Sequence, residues 1–170
     1  QASSAIPLLI REWETPLPKR AFCVTCGVPL NHWASYPLLA IGEPAVPAIK
    51  DVMINHDDED VRYSAAECLS LMPDHTHLAL DELIQATRDK NEYVRARAYN
   101  GLGSTQSVKA AEVILEELKR LMEPSEPDSS LKWTLFQSLK QLGPHASSAA
   151  PFLLELSGVS DDKLDAKTFD

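Results

Sequence analysis

The chain has 170 residues, of which 44% are hydrophobic, and a formal net charge of −9. This length and composition are typical of a folded domain with a substantial apolar core. The negative charge repels phosphate backbones, so we expect no nucleic-acid partner. No run of 18 apolar residues is present, so we expect no membrane association through a spanning helix. The three cysteines do not suggest a disulfide framework, and a cytoplasmic location is favoured, or an exported one if the chain is attached to a secreted enzyme.

The N-terminal part of the chain predicts one helix followed by an irregular stretch. The apolar residues of this helix recur at helical spacing, and they are Ile6, Leu9, Ile10 and Trp13. Residues 14–36 then contain several prolines and glycines, and a short helix is predicted near residues 36–41. Because the chain starts at Gln1 without a Met or a signal-peptide pattern, we expect it to be a piece of a longer protein.

Three longer segments share an apolar stripe on a 3.6-residue period, and we call the helices they predict B helices. The stripes are Val61, Ala65, Cys68, Leu69 and Met72, then Val94, Ala98, Gly101, Leu102 and Thr105, then Leu131, Leu135, Ser138, Leu139 and Leu142. Asp58, Asn91 and Asp128 each stand three residues before a stripe, where helix N-caps belong. The stripe therefore marks a repeated structural unit.

A second type of helix, which we call the A helix, is predicted before each B helix. Three of these segments carry a proline in the first turn, where its missing N–H is tolerated, at Pro7, Pro47 and Pro151. Two further A helices are predicted at 78–87 and 110–121, and Gly42 and Gly143 are placed as the C-cap glycines of B helices. The chain thus reads as helix pairs, with 33 residues from Val61 to Val94 and 37 from Val94 to Leu131.

The segments 58–69 and 91–98 resemble HEAT-like repeats, and the junctions at 41–49 and 142–146 resemble those of the same family. The resemblance covers roughly residues 40–157 and is of the bacterial type seen in phycobilin-lyase-like repeats. It implies an all-α, right-handed α–α superhelix of about five helix pairs, with the first irregular and the last truncated. The predicted repeats of this single domain are residues 4–42, 44–72, 76–105, 107–143 and 144–170.

Cys23 and Cys26 form the sharpest local motif, a Cys-x-x-Cys pair with His32 nearby. Two such cysteines can bind zinc, but a structural zinc site needs four ligands, and no second pair is present. We therefore prefer to interpret them as small core residues, and we expect no metal and no cofactor.

Arg62, Arg95 and Lys132 occupy one equivalent position, directly after the first stripe residue. Stacked repeats place them in a column, which either binds an acidic partner or forms a ladder of ion pairs between repeats. The ladder is preferred because HEAT-like families use this position for one. Suitably placed acids are Asp57, Asp89 and Glu126.

Tyr63 and Trp133 share the next equivalent position, and on the concave side of a solenoid they would anchor a partner. With Arg62, Arg95 and Lys132 they are the candidate partner-binding residues.

The sequence contains no recognisable catalytic constellation, so a catalytic role of this chain is left open and not preferred. The resemblance implies a non-catalytic scaffold that binds a protein partner. Two alternatives stay open: an accessory C-terminal region of a larger bacterial hydrolase such as a sulfatase, and a chromophore-lyase-like ligand-handling protein.

Overall fold

The computed structural model describes residues 2–14, 34–123 and 131–157. Every regular element in these three ranges is helical. The α-helices are α1 (Ile6–Trp13), α2 (Ser35–Ile41), α3 (Val46–Asn55), α4 (Glu59–Ser70), α5 (Leu80–Ala86), α6 (Glu92–Gly103), α7 (Val108–Leu121), α8 (Leu131–Leu142) and α9 (Ala150–Ser157). Short 3-10 helices at Ala2–Ala5, Glu43–Ala45, Thr76–Ala79 and Gly143–Ala149 lead into α1, α3, α5 and α9.

The helices pack as successive pairs. Helix α1 contacts α2, α3 contacts α4, α5 contacts α6 and α7 contacts α8. Neighbouring pairs are joined through their second helices, with α4 against α6 and α6 against α8, and through their first helices, with α5 against α3 and α7. The odd-numbered helices are therefore A helices, α2, α4, α6 and α8 are B helices, and the pairs stack as a solenoid.

The sequence stripes form the core. All fifteen stripe residues are buried, including the polar Ser138 and Thr105; thirteen lie in α4, α6 and α8, and Met72 and Thr105 follow the ends of α4 and α6. Ser138 donates its hydroxyl hydrogen to the Thr134 carbonyl at 2.9 Å, and Thr105 donates to the Leu102 carbonyl at 2.7 Å. Local hydrogen bonds thus allow Thr105 to occupy the position of Met72 and Leu142, and Ser138 to occupy the position of Cys68.

The predicted N-caps Asp58 and Asn91 and the predicted C-cap glycines Gly42 and Gly143 are confirmed. The Asp58 carboxylate accepts from the Asp60 N–H, and the Asn91 side chain accepts from the N–H groups of Tyr93 and Val94. Asp128 lies outside the described residues. Gly42 and Gly143 follow α2 and α8 with φ of 74° and 54°, a region that favours glycine.

Two glycines of α6 allow neighbouring helices to approach closely. A Cβ at Gly103 would lie 2.9 Å from the Ser138 Cα, which belongs to the backbone of α8. A Cβ at Gly101 would lie 2.8 Å from a Leu83 methyl carbon, the flexible end of a side chain. The spacing between α6 and α8 therefore depends on a missing side chain at Gly103.

We expect Gly103→Ala to lower the free energy of unfolding by about 1–3 kcal/mol, although alanine is the better helix former by about 1 kcal/mol. The backbone of α8 must move to admit the methyl group. Gly101→Ala is the matched control with a smaller cost, because the Leu83 methyl can rotate away. Urea unfolding measures both, and a stabilised Gly103→Ala variant would contradict this packing.

Candidate functional site

Arg62 links two successive repeats. Its Nε donates to Asp89 Oδ2 at 2.7 Å and its Nη2 donates to Asp89 Oδ1 at 3.0 Å, a two-point ion pair between α4 and the loop before α6. Its Nη1 donates to the carbonyls of His56 and Asp57, both at 2.9 Å. Arg62 is only 5% exposed. This is the geometry of the predicted ladder. Because the Arg62 guanidinium is buried in these contacts, it is not accessible to a partner.

Asp89 is held ionised by its neighbours. Burial acts to raise the pKa of Asp89, but hydrogen bonds from Arg62 and from the Asn91 N–H, with the charge of Arg62, outweigh burial and lower that pKa. On the other side, the hydrogen bond with Asp89 raises the pKa of Arg62 more than burial lowers it. Both partners are therefore charged at neutral pH.

The ion pair of Asp89 makes the free energy of unfolding depend on pH in the acid range. Because its pKa is lower in the folded chain than the ordinary value of about 4, the contribution of Asp89 is complete above that value and is lost as the pH falls through the folded pKa. We expect the free energy of unfolding to decrease as the pH falls through this range, and to decrease less steeply in the Asp89→Asn variant than in the unaltered chain. Asp81→Asn, in an exposed ion pair, is the control. Identical acid profiles for Asp89→Asn and the unaltered chain would contradict the assignment.

Arg95 repeats the local part of this arrangement. Its Nη1 donates to the carbonyls of Asp89 at 2.9 Å and Lys90 at 3.2 Å, which stand six and five residues before it, as His56 and Asp57 stand before Arg62. The acid in the ladder register of Arg95 is Glu126, which lies outside the described residues. Lys132 is half-buried at the equivalent position of α8.

A polar cluster joins the B helices α4 and α6 on their surface. The Tyr63 hydroxyl oxygen accepts from Arg97 Nε at 3.1 Å and from Nη2 at 2.9 Å. Arg97 Nη2 also lies 3.4 Å from Glu67 Oε1. All three side chains are half-buried. We call Tyr63, Glu67 and Arg97 the B-helix cluster; it fixes an aromatic ring and an ion pair at one place on the surface.

The sequence singled out Tyr63 but not Arg97 or Glu67. Arg97 stands 34 residues after Tyr63, one repeat period plus one residue. That separation was the available indication of a contact between adjacent B helices. Trp133, the equivalent of Tyr63 in α8, is 70% exposed.

The A helices carry a separate set of ion pairs. Lys50 Nζ lies 2.8 Å from Glu82 Oε1, which joins α3 to α5, and Lys109 Nζ lies 2.7 Å from Asp81 Oδ1, which joins α7 to α5. These side chains are more exposed than the Arg62–Asp89 pair. They hold neighbouring repeats together only weakly, because solvent screens exposed ion pairs.

The described residues contain no group of three or more His, Cys, Asp or Glu side chains placed to hold a metal ion. Cys23, Cys26 and His32 lie outside them. Burial raises the pKa of Cys68 to about 12, and its thiol donates weakly to the Ser35 carbonyl at 3.9 Å. A thiol with this pKa stays protonated and unreactive at neutral pH, so Cys68 acts as a small core residue.

Comparison with protein-family models matches residues 80–167 to HEAT repeats, over more than half of the chain. The match runs from α5 to beyond α9 and thus includes the two B helices α6 and α8. A search of curated proteins gave no match.

Proposed function

Because the chain belongs to the HEAT-repeat family, we propose that it is a non-catalytic scaffold that binds a protein partner along its B helices. HEAT repeats generally mediate protein interactions, and a stack of repeats presents a long preformed surface. The net charge of −9 favours a protein over a nucleic acid as that partner. Among the described helices, none combines the length and the apolar character needed to cross a membrane.

The observation that carries the proposal is the B-helix cluster. Tyr63, Glu67 and Arg97 are half-buried, and Arg97 reaches across two repeats to hydrogen-bond Tyr63 and to form an ion pair with Glu67. A tyrosine and an arginine held in fixed positions lose little side-chain entropy when a partner binds, and these residue types are enriched at energetically important interface positions. Arg62 does not belong to this surface, since its guanidinium is used by the ladder.

Other residues extend the same surface on neighbouring B helices. Tyr36 of α2 is 65% exposed, and Asn100 and Gln137 occupy, in α6 and α8, the position that Glu67 has in α4. Lys132 stands at the edge of this row. We propose one domain with repeats at residues 4–42, 44–72, 76–105, 107–143 and 144–170, so that each repeat adds one B helix to the surface.

The proposal is tested by affinity capture with the full chain and with substituted forms. A bound protein should be lost by the double variant Tyr63→Ala, Arg97→Ala. It should be retained by Lys109→Ala, which removes a cation from an inter-repeat ion pair on the A helices. Circular dichroism and urea unfolding establish that the variants remain folded. A partner lost with Lys109→Ala and kept by the double variant would place the binding surface on the A helices and refute the proposal.

A further inference from the structure

Each B helix has one side that faces the next repeat, and we call it the stacking face. It consists of the third, sixth and tenth positions counted from the first stripe residue. These are Tyr63, Ala66 and Ser70 in α4, Ala96, Tyr99 and Gly103 in α6, and Trp133, Phe136 and Lys140 in α8.

The stacking faces of α4 and α6 are covered by the following repeat. Ala66 and Tyr99 are 0% and 3% exposed, and the other four positions are buried or half-buried. Arg97 of α6 lies on Tyr63, and Ser138 of α8 lies against Gly103. In α8, by contrast, Trp133 is 70% exposed, Phe136 is 37% exposed and Lys140 is exposed. An uncovered Trp–Phe pair is an exposed apolar surface, and such surfaces mark interaction sites.

We propose that residues 158–170 of the chain itself, which lie outside the described residues, dock on the stacking face of α8 as a further B helix. The register supports this occupant. Leu164 stands 33 residues after Leu131, the same separation as between Val61 and Val94. Asp161 stands three residues before Leu164, as Asp58 stands before Val61. The HEAT-repeat match also continues to residue 167.

Charge supports the same occupant. Helix α8 carries Lys132 and Lys140 and no acidic residue. Residues 158–170 contain four aspartates and two lysines, for a formal charge of −2. The segment and the helix are therefore of opposite sign, within a chain that is acidic overall.

The register also assigns a contact to Trp133. Lys167 stands three residues after Leu164, as Arg97 stands three residues after Val94. Docking in register brings the Lys167 ammonium group to the Trp133 indole, as Arg97 is brought to Tyr63. Trp133 then packs within the chain and is not part of the candidate partner surface.

Tryptophan fluorescence of the full chain tests the proposal. The contribution of Trp133 is the difference between the unaltered chain and Trp133→Phe. We expect acrylamide to quench this contribution several-fold less than free tryptophan, independently of protein concentration. Leu164→Asp, which puts a charge on the predicted apolar stripe, should restore strong quenching, whereas Lys163→Asp, one residue off the stripe, should not.

Three results would overturn the proposal. The first is Trp133 quenched in the full chain as strongly as free tryptophan. The second is protection unchanged by Leu164→Asp. The third is protection that appears only as protein concentration rises, because that indicates a second copy of the chain as the occupant. Amide hydrogen exchange of the unaltered chain gives an independent reading, with slow exchange expected in residues 161–170 and fast exchange contradicting the docked helix.

Discussion

We expect Leu102→Ala to lower the free energy of unfolding by about 2–5 kcal/mol. Leu102 is fully buried in α6, the B helix that contacts both α4 and α8. Removing its side chain beyond Cβ loses the transfer free energy of the buried carbons and leaves a cavity between three helices. Leu69 is equally buried at the equivalent position of α4, so Leu69→Ala should cost a similar amount.

The matched control for these substitutions is Leu71→Ala. Leu71 follows α4 and is 56% exposed, so its truncation should change the free energy of unfolding by no more than about 0.5 kcal/mol. Urea unfolding followed by circular dichroism measures all three variants. Losses below about 1 kcal/mol at both Leu69 and Leu102 would mean that the repeat register is incorrect.

The second large effect is expected at the ladder. Arg62→Ala should lower the free energy of unfolding by about 2–4 kcal/mol, because it leaves the largely buried Asp89 carboxylate without its charged partner and frees two backbone carbonyls. Lys109→Ala, in the exposed pair with Asp81, should cost no more than about 1 kcal/mol.

A double-mutant cycle separates the ion pair from the packing of the arginine stem. Asp89→Asn in the Arg62→Ala background removes the unpaired charge, so the double variant should be less destabilised than the sum of the two single variants. Additive costs would mean that Arg62 acts through its backbone contacts and its stem alone.

Much of the fold was predictable from the sequence, for reasons visible in single residues. A buried helix face needs apolar or self-satisfied side chains at a 3.6-residue period, which placed even Ser138 and Thr105 in the core. The cap residues Asp58 and Asn91 fixed the starts of α4 and α6 closely. Helix ends that lack such residues were less accurate: the helix predicted at 78–87 is Leu80–Ala86, and the one predicted at 110–121 begins at Val108.

The candidate site was predictable only in part. The repeat period placed Arg62 in a column and Asp89 among its acids, since both follow from one register. The partner of Tyr63 did not follow, because Arg97 is matched by Ser64 in α4 and Thr134 in α8, so no column of like residues marks the position. Contacts made once, between two particular repeats, leave no periodic pattern. The ion pairs of Lys50 and Lys109 were missed for the same reason.

The pairwise stacking of the helices also governs how the chain reaches and leaves its folded state. Each helix contacts partners close to it in sequence, since α4 meets α3 and α6, and α6 meets α5 and α8. Contacts of short sequence separation cost little loop-closure entropy, and proteins dominated by them fold quickly. Unfolding of such an array begins at repeats with a single neighbour and spreads inward. The α4–α6 unit, with covered surfaces on both sides, is consequently where native-state hydrogen exchange should be slowest.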